Sequence, residues 1–341
     1  MANLTRASQE LFRRSPDECF SSLDELRDHC RQERQFSADA WLLPQYLEPR
    51  VVEDSVCIRS EADESCRLND WSFTQLCRLS GISKETVNRL SPDTACRALR
   101  ETLPQAEKPV QLLTTGKSIR SLHGVTYSRL WNVDLINLVR EFASDFQPPP
   151  VGCNGGTGLY CGEQDLFAFV IDPTGWTEIG GESFAPGFFL WNSEVGRRSL
   201  GIQTFWFQAV CQNHIVWDAV EVVEFTRKHT GAVRDSLGEI RRLIELLVLK
   251  RDARRDGFAK ALGTAMQTTL GTDAEDVMKE LTRNGIPGHL ATEAIAIARQ
   301  QGRFTIFALV DALTRLTQRL KYAGERAEAD SKVAGLLTLA T

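Results

Sequence analysis

Apolar and polar residues alternate in different ways along this chain, and the changes in pattern outline its organisation. Between residues 70 and 103, apolar positions recur at helical spacing and are interrupted by turn and capping residues. Ser83 is placed to cap a helix, Gly81 to end the helix before it, and Pro92 to occupy the first turn of the next one. The segment is therefore predicted to contain three short helices.

The period changes after residue 110. Residues 111–130 favour two strands around a turn, because β-branched and apolar residues recur at short intervals. Residues 131–143 then have the spacing of an amphipathic helix. Further strands are predicted at Leu166–Asp172, Gly187–Asn192 and Ile202–Asp218. These segments together predict a central, mainly antiparallel sheet.

After Val222 the pattern is helical to the end of the chain. The segment Leu237–Leu249 is almost continuously aliphatic, and shorter helices are predicted around 273–284, 288–301 and 304–324. The predicted class is therefore α+β, with a helical N-terminal part, a central mainly antiparallel sheet and a helical C-terminal part.

Four regions follow from these patterns. Prolines interrupt any long helix near the N-terminus, so that region is predicted to be loosely organised. Proline stiffness followed by glycine freedom at 147–158 indicates a linker or a long loop. The predicted regions are a loosely organised segment at 1–69, a helical hairpin at 70–110, a sheet domain at 111–222 and a helical region at 223–341.

The composition is that of a globular protein, with 42% apolar and 25% charged residues. No apolar run is long enough for a membrane span, and the charged N-terminus has no signal-peptide core. We therefore expect a cytoplasmic protein with no membrane partner. Nine cysteines occur without any CxxC pair, which favours free, buried thiols.

The net charge of −5 conceals an uneven distribution. Residues 1–70 carry nine Arg against fifteen Asp and Glu, whereas residues 227–260 carry ten Lys and Arg against five acids. A concentrated basic stretch can bind phosphate, although a solvated helix face gives the same pattern. The predicted phosphate contacts are Arg197, Arg198, Arg241, Arg242, Lys250, Arg251, Arg254, Arg255 and Lys260.

Residues 74–90, TQLCRLSGISKETVNRL, resemble the helix-turn-helix of repressor-type regulators. Lys84, Asn88 and Arg89 would then face the major groove of duplex DNA. A plain helical hairpin needs the same glycine and the same capping residues. Both interpretations remain open from these residues.

The sequence predicts no catalytic residues, no cofactor and no metal. Cys153, Cys161, Cys211 and His214 form a Cys3His set, but their spacing matches no common zinc framework. TTGKS at 114–118 lacks the leading glycine of a phosphate-binding loop. No hydrolase motif occurs, so an enzymatic activity is not expected.

The central block at 188–218, FFLWNSEVGRRSLGIQTFWFQAVCQNHIVWD, is the most specific part of the chain. With LCRLSGISKETVNRLSPD, SIRSLHGVTYSRLWNVDLINLV and FTIFALVDALTRLTQRL, it resembles the phage/plasmid-like proteins that carry domain of unknown function 932. The resemblance spans about residues 70–340; His214 stands where many relatives have glycine. It implies a role in the DNA metabolism of mobile elements.

The resulting hypothesis is a non-enzymatic nucleic-acid-binding protein, a recombination or replication accessory that binds or anneals single strands as a multimer. Arg197, Arg198 and the basic stretch would hold phosphates, and Trp191 or Trp206 would stack on bases. One alternative is a helix-turn-helix transcriptional regulator. Another is a structural or partner-binding protein that forms a homo-oligomer through residues 237–249 and contacts no nucleic acid.

Overall fold

The fold is α+β, as the sequence predicts, and the C-terminal part is helical. The computed structural model describes residues 19–59, 65–150, 158–209, 214–217, 224–231, 233–300, 304–317, 329 and 332–340. Within these ranges the strands form two mostly antiparallel sheets, where the sequence pattern predicted one.

The first sheet is antiparallel throughout its described pairs. Its path runs β1-β8-β9-β11-β12-β13, with β10 beside β11 and β14 beside β12. Its strands are β1 (Cys19–Phe20), β8 (Leu159–Cys161), β9 (Leu166–Ile171), β10 (Thr177–Ile179), β11 (Glu182–Asn192), β12 (Leu200–Gln208), β13 (His214–Trp217) and β14 (Glu224–Arg227).

The second sheet has the order β2-β6-β7-β5-β4-β3 and contains one parallel pair, β5 with β7. Its strands are β2 (Ser37–Leu42), β3 (Pro49–Val52), β4 (Ser55–Arg59), β5 (Ser65–Leu68), β6 (Val110–Thr115) and β7 (Ser118–His123). Four of these strands precede residue 70. The N-terminal part therefore contributes strands as well as helix, which its sequence pattern did not predict.

The helices fall into three groups along the chain. Helix α1 precedes the second sheet, α2 to α4 lie between its strands, and α5 to α10 follow it. They are α1 (Leu23–Gln35), α2 (Asp70–Leu79), α3 (Lys84–Val87), α4 (Pro92–Thr102), α5 (Asn132–Phe142), α6 (Ser236–Leu249), α7 (Arg251–Gln267), α8 (Ala274–Arg283), α9 (Gly288–Gln300) and α10 (Ile306–Thr317). None of the helices in the described ranges has both the length and the apolar character needed to cross a membrane.

Each sheet has its own hydrophobic core. Side chains alternate along β11, so Phe188 and Leu190 pack with helices α1, α5 and α6. Phe189 points to the opposite face, where it stacks on Phe169 with ring centroids 4.2 Å apart. The second sheet packs on α2 to α4, and helices α7 to α10 form a further core around Trp206.

In the helical hairpin, the capping and terminating residues predicted from the sequence are confirmed. The hydroxyl of Ser83 accepts the N–H of Thr86 and begins α3, and Pro92 is the first residue of α4. Gly81 takes a left-handed conformation with φ +67°, as expected for a residue that follows a helix.

Two predicted segments differ from the structure or lie partly outside it. The single strand predicted from Ile202 is a hairpin, because β12 ends at Gln208 and β13 pairs back antiparallel. Within the predicted break at 147–158, Gln147 pairs with Ile171, while residues 151–157 lie outside the described ranges.

Candidate metal centre

A tight turn, Asn192–Gly196, follows β11 and lies between the two sheets. The carboxylate of Glu194 is buried, and its Oε1 accepts the backbone N–H of Asn132 at 2.7 Å. Its Oε2 accepts a hydrogen bond from Arg120, on β7 of the second sheet, at 3.1 Å. Burial raises the pKa of Glu194, while Arg120 and the Asn132 N–H favour its charged form. The turn thus fixes one sheet against the other.

The backbone oxygens of the same turn accept further hydrogen bonds from α2, from β7 and from the loop that follows β7. The Glu194 carbonyl accepts the hydroxyl of Tyr127 at 2.7 Å. The Val195 carbonyl accepts the indole N–H of Trp71 at 2.9 Å and lies 2.8 Å from Nε2 of His123. Every one of these donors precedes residue 130, so the turn is held by a distant part of the chain.

Gly196 closes this turn, and two constraints require glycine there. Its φ is +68°, a conformation that side chains disfavour. A Cβ at this position would lie 2.7 Å from the Tyr127 ring and 2.8 Å from the His123 ring. The turn sequence therefore reflects packing at the junction of the sheets.

Three rings are stacked behind the turn. The His123 and Tyr127 centroids lie 3.6 Å apart, and the Tyr127 and His229 centroids 5.6 Å apart. Burial, with the nearby charge of Arg129, lowers the pKa of His123 to about 4, and burial likewise lowers that of His229 to about 4. Both imidazoles are therefore neutral at pH 7.

A group of metal-ligating side chains lies next to this junction. His29 and Glu33 are one turn apart on α1, and Cys161 ends β8. Nε2 of His29 is 3.7 Å from Oε2 of Glu33, which is 4.0 Å from Sγ of Cys161. The three ligand atoms lie within 4.8 Å of one another. His29 and Glu33 are half-buried, and Cys161 is buried.

Two further side chains lie close to the sulphur of Cys161. Sγ of Cys30 is 4.0 Å away, and Nδ2 of Asn132 is 3.7 Å away. The contact with Cys30, together with burial, raises the pKa of the Cys161 thiol. The contact with Cys161 raises the pKa of His29.

Arg120 connects this cluster with the junction of the sheets. Its guanidinium lies 3.7 Å from Oε1 of Glu33, besides its ion pair with Glu194. Burial opposes the charge of Arg120, but Glu33 and Glu194 together raise its pKa. One oxygen of Glu33 therefore faces Arg120, and the other faces the cluster.

The ligand types and their spacing suit zinc. Zinc takes thiolate, imidazole and carboxylate ligands in tetrahedral geometry, at about 2.3 Å for sulphur and about 2.0–2.2 Å for nitrogen and oxygen. These bond lengths separate ligand atoms by about 3.3–3.8 Å. The two measured separations, 3.7 and 4.0 Å, exceed the corresponding edges by about 0.5 Å or less. The third separation, between His29 and Cys161, is at most 4.8 Å, so all three ligands would move inwards to bind one metal ion.

The sequence interpretation found only one member of this cluster. Cys161 was among the weak metal candidates, whereas Cys153 and Cys211 lie outside the described residues. His214 begins β13, but its side chain also lies outside what the structure describes. The i,i+4 spacing of His29 and Glu33 on a helix was the available sequence signal.

Most of the predicted phosphate contacts have partners within the protein. Arg241 pairs with Glu245, Arg198 with Asp165, Arg251 with Asp145 and Asp172, and Arg255 with Asp252 and Asp256. Arg254 is buried. The backbone N–H of Arg197 donates to the hydroxyl of Ser193 in the turn. Arg242, Lys250 and Lys260 are exposed on α6, α7 and the junction between them.

The predicted duplex-reading residues lie on a very short helix. Helix α3 spans four residues, about 6 Å, and Lys84 forms an ion pair with Asp70. Asn88 and Arg89 are exposed just beyond its end. This geometry favours the helical-hairpin interpretation, since a recognition helix presents several turns to the major groove.

The tryptophans proposed for base stacking are engaged inside the protein. Trp206 is fully buried and lies parallel to Phe258 with ring centroids 4.1 Å apart. Trp191 stacks on Phe189 at 5.0 Å. Trp206 is therefore part of the core.

No family model matches this chain, and neither do curated proteins or solved structures. The resemblance to the phage/plasmid-like proteins accordingly stays a prediction.

Proposed function

We propose that this protein binds zinc through His29, Glu33 and Cys161. The observation that carries the proposal is the convergence of an imidazole, a carboxylate and a thiol from two separate elements, with ligand atoms within 4.8 Å of one another. A mixed nitrogen, oxygen and sulphur set is typical of zinc and excludes calcium and magnesium, which take oxygen ligands.

The surroundings of the cluster support this assignment. Ligating carboxylates and thiolates in zinc sites are usually hydrogen-bonded or ion-paired by neighbouring groups that orient them. Arg120 lies beside the outer oxygen of Glu33, and the amide of Asn132 lies beside the sulphur of Cys161. Both neighbours are buried and held by the Glu194 turn, so they restrict the ligands before a metal binds.

Zinc titration of the reduced, metal-free chain by calorimetry tests the proposal. We expect one zinc per chain, and we expect His29→Ala, Glu33→Gln and Cys161→Ser each to weaken binding at least tenfold. His289→Ala, an exposed histidine on α9, and Cys77→Ser, a buried cysteine on α2, should leave affinity unchanged. A wild-type chain that takes up no zinc, or equal losses in the control variants, would contradict the proposal.

Nucleic-acid binding is a second proposal, and the exposed cations on α6 and α7 support it. Arg242 and Lys260 are exposed, and no carboxylate is seen to pair with either of them among the residues described. If they contact phosphates, affinity for labelled single-stranded DNA should fall between 50 and 200 mM salt, with a slope of roughly −0.7 per contact.

Two double variants separate the modes of DNA binding. Arg242→Ala with Lys260→Ala should weaken binding to single strands, whereas Lys84→Ala with Arg89→Ala should have little effect. The reverse result on duplex DNA would favour a transcriptional regulator. Absence of salt-sensitive binding to either form would leave the structural or partner-binding alternative.

A further inference from the structure

Cys30 lies beside the proposed zinc ligands without being one of the three. Its side chain is fully buried, and its sulphur is 4.0 Å from that of Cys161. On α1, successive residues are rotated by about 100°. Glu33 therefore projects between His29 and Cys30, and all three side chains fall within about 100° of the helix circumference.

The separation of the two sulphurs matches a shared metal. Two thiolates bound to one tetrahedral zinc at about 2.3 Å lie about 3.8 Å apart. The sulphurs of Cys30 and Cys161 are 4.0 Å apart, which is about 0.2 Å more than this separation. Cys30 is not part of the group whose ligand atoms all lie within 4.8 Å of one another, so binding the same metal also requires its side chain to move towards His29 and Glu33. The core side of the cluster thus supplies two sulphurs, and the partly exposed side supplies His29 and Glu33.

We infer that Cys30 is the fourth zinc ligand and closes the coordination sphere. This inference rests on the proposed zinc-binding function and specifies the kind of site. A four-ligand site has no open position for water, so the metal has a structural role and links α1 to β8.

The position of Arg120 agrees with a closed site. Because Oε1 of Glu33 faces Arg120 at 3.7 Å, Glu33 offers one oxygen and leaves room for a second sulphur. Two thiolates and one carboxylate around Zn²⁺ carry a net charge of −1, and Arg120 lies next to it. A site with an open position would instead be expected to meet solvent on the side of its missing ligand, where the buried Cys30 lies.

Cobalt substitution of the full-length chain tests this inference. Tetrahedral Co²⁺ absorbs in the visible range, and its thiolate charge-transfer absorbance in the near ultraviolet scales with the number of bound sulphurs. We expect Cys30→Ser to lower that charge-transfer absorbance by about half and to weaken Co²⁺ binding at least tenfold. The control Cys77→Ser should match the wild type.

X-ray absorption on the zinc-loaded wild-type chain gives an answer that does not depend on a folded variant. Two sulphurs at about 2.3 Å per zinc support the inference. One sulphur per zinc, or a Cys30→Ser variant with full charge-transfer absorbance, overturns it and leaves a three-ligand zinc site. A wild-type chain that binds neither metal overturns both this inference and the proposed function.

Discussion

At the scale of single residues, the junction between the sheets depends on groups that sequence periodicity does not distinguish. Glu194 uses both carboxylate oxygens and its backbone carbonyl, with donors from Arg120, Asn132 and Tyr127. Removing one partner of a buried ion pair leaves an uncompensated charge, which typically costs about 3–5 kcal/mol. The Asn192–Gly196 turn therefore has a structural role, since it holds the two sheets together.

Gly196 provides a matched comparison with Gly81. Both have positive φ, +68° and +67°, but only Gly196 has neighbours where a Cβ would be placed. We expect Gly81→Ala to lower the free energy of unfolding by roughly 1 kcal/mol, through backbone strain alone. Gly196→Ala should lower it by roughly 2–4 kcal/mol, because contact with the Tyr127 and His123 rings adds to that strain.

Urea denaturation of the two variants and the wild type measures this difference. Equal losses for the two variants would show that the rings move aside without cost. A larger loss for Gly81→Ala would contradict the packing argument.

At the scale of secondary-structure elements, helix α6 has one face that packs on the core and another that carries exposed leucines. Leu243 packs against the core of the first sheet, whereas Leu249 is 82% exposed and Leu246 is 37% exposed. An oligomer seam on this helix would therefore use Leu246 and Leu249.

We predict different outcomes for aspartate at the two positions. Leu243→Asp should lower the melting temperature by several degrees, because it places a charge against the core. Leu249→Asp should change stability by less than about 0.5 kcal/mol. Light scattering of the wild type and of Leu249→Asp then tests the seam. A wild-type oligomer that Leu249→Asp leaves intact would rule out this face.

The elements that sequence patterns located correctly are those decided by near neighbours. The helix predicted at 131–143 is Asn132–Phe142, and the two strands after residue 110 are Val110–Thr115 and Ser118–His123. Helical periodicity and capping are properties of a few consecutive residues, so they remain visible in one sequence.

The candidate metal centre could not be predicted from neighbouring residues in the sequence. Cys161 reaches His29 and Glu33 because β1, just before α1, pairs with β8 across about 140 residues. Its long separation along the chain matches no common zinc spacing, so counting residues between ligands could not find it. Only the helical spacing of His29 and Glu33 was local.

At the scale of the whole molecule, the buried imidazoles predict acid sensitivity. The pKa values of His123 and His229 are lowered to about 4, whereas an unfolded histidine titrates near 6.5. Their neutral forms favour the fold fully above about pH 6.5, and this contribution is lost as the pH falls towards 4. Each histidine can account for up to roughly 3 kcal/mol of that loss.

Urea denaturation between pH 7.5 and 4.5, with a chelator present, measures the effect. His229→Gln should lose less stability than the wild type on acidification, because one of the two buried histidines is gone. The exposed His289→Gln should behave as the wild type does. An identical pH profile for His229→Gln would contradict the assignment.

The path of the chain separates the inferred zinc ligands from the second sheet. Residues 37–59 and 65–123 form the second sheet and its helices, whereas α1 before them and α5 after them belong to the first core. Arg34 pairs with Asp134, and Arg129 pairs with Asp39. The two ends of this segment therefore lie close together, beside the first core. The segment has the connectivity of a domain inserted between α1 and α5 of the first core. All four inferred zinc ligands lie outside this segment, so a variant in which a short linker replaces it would retain every one of them.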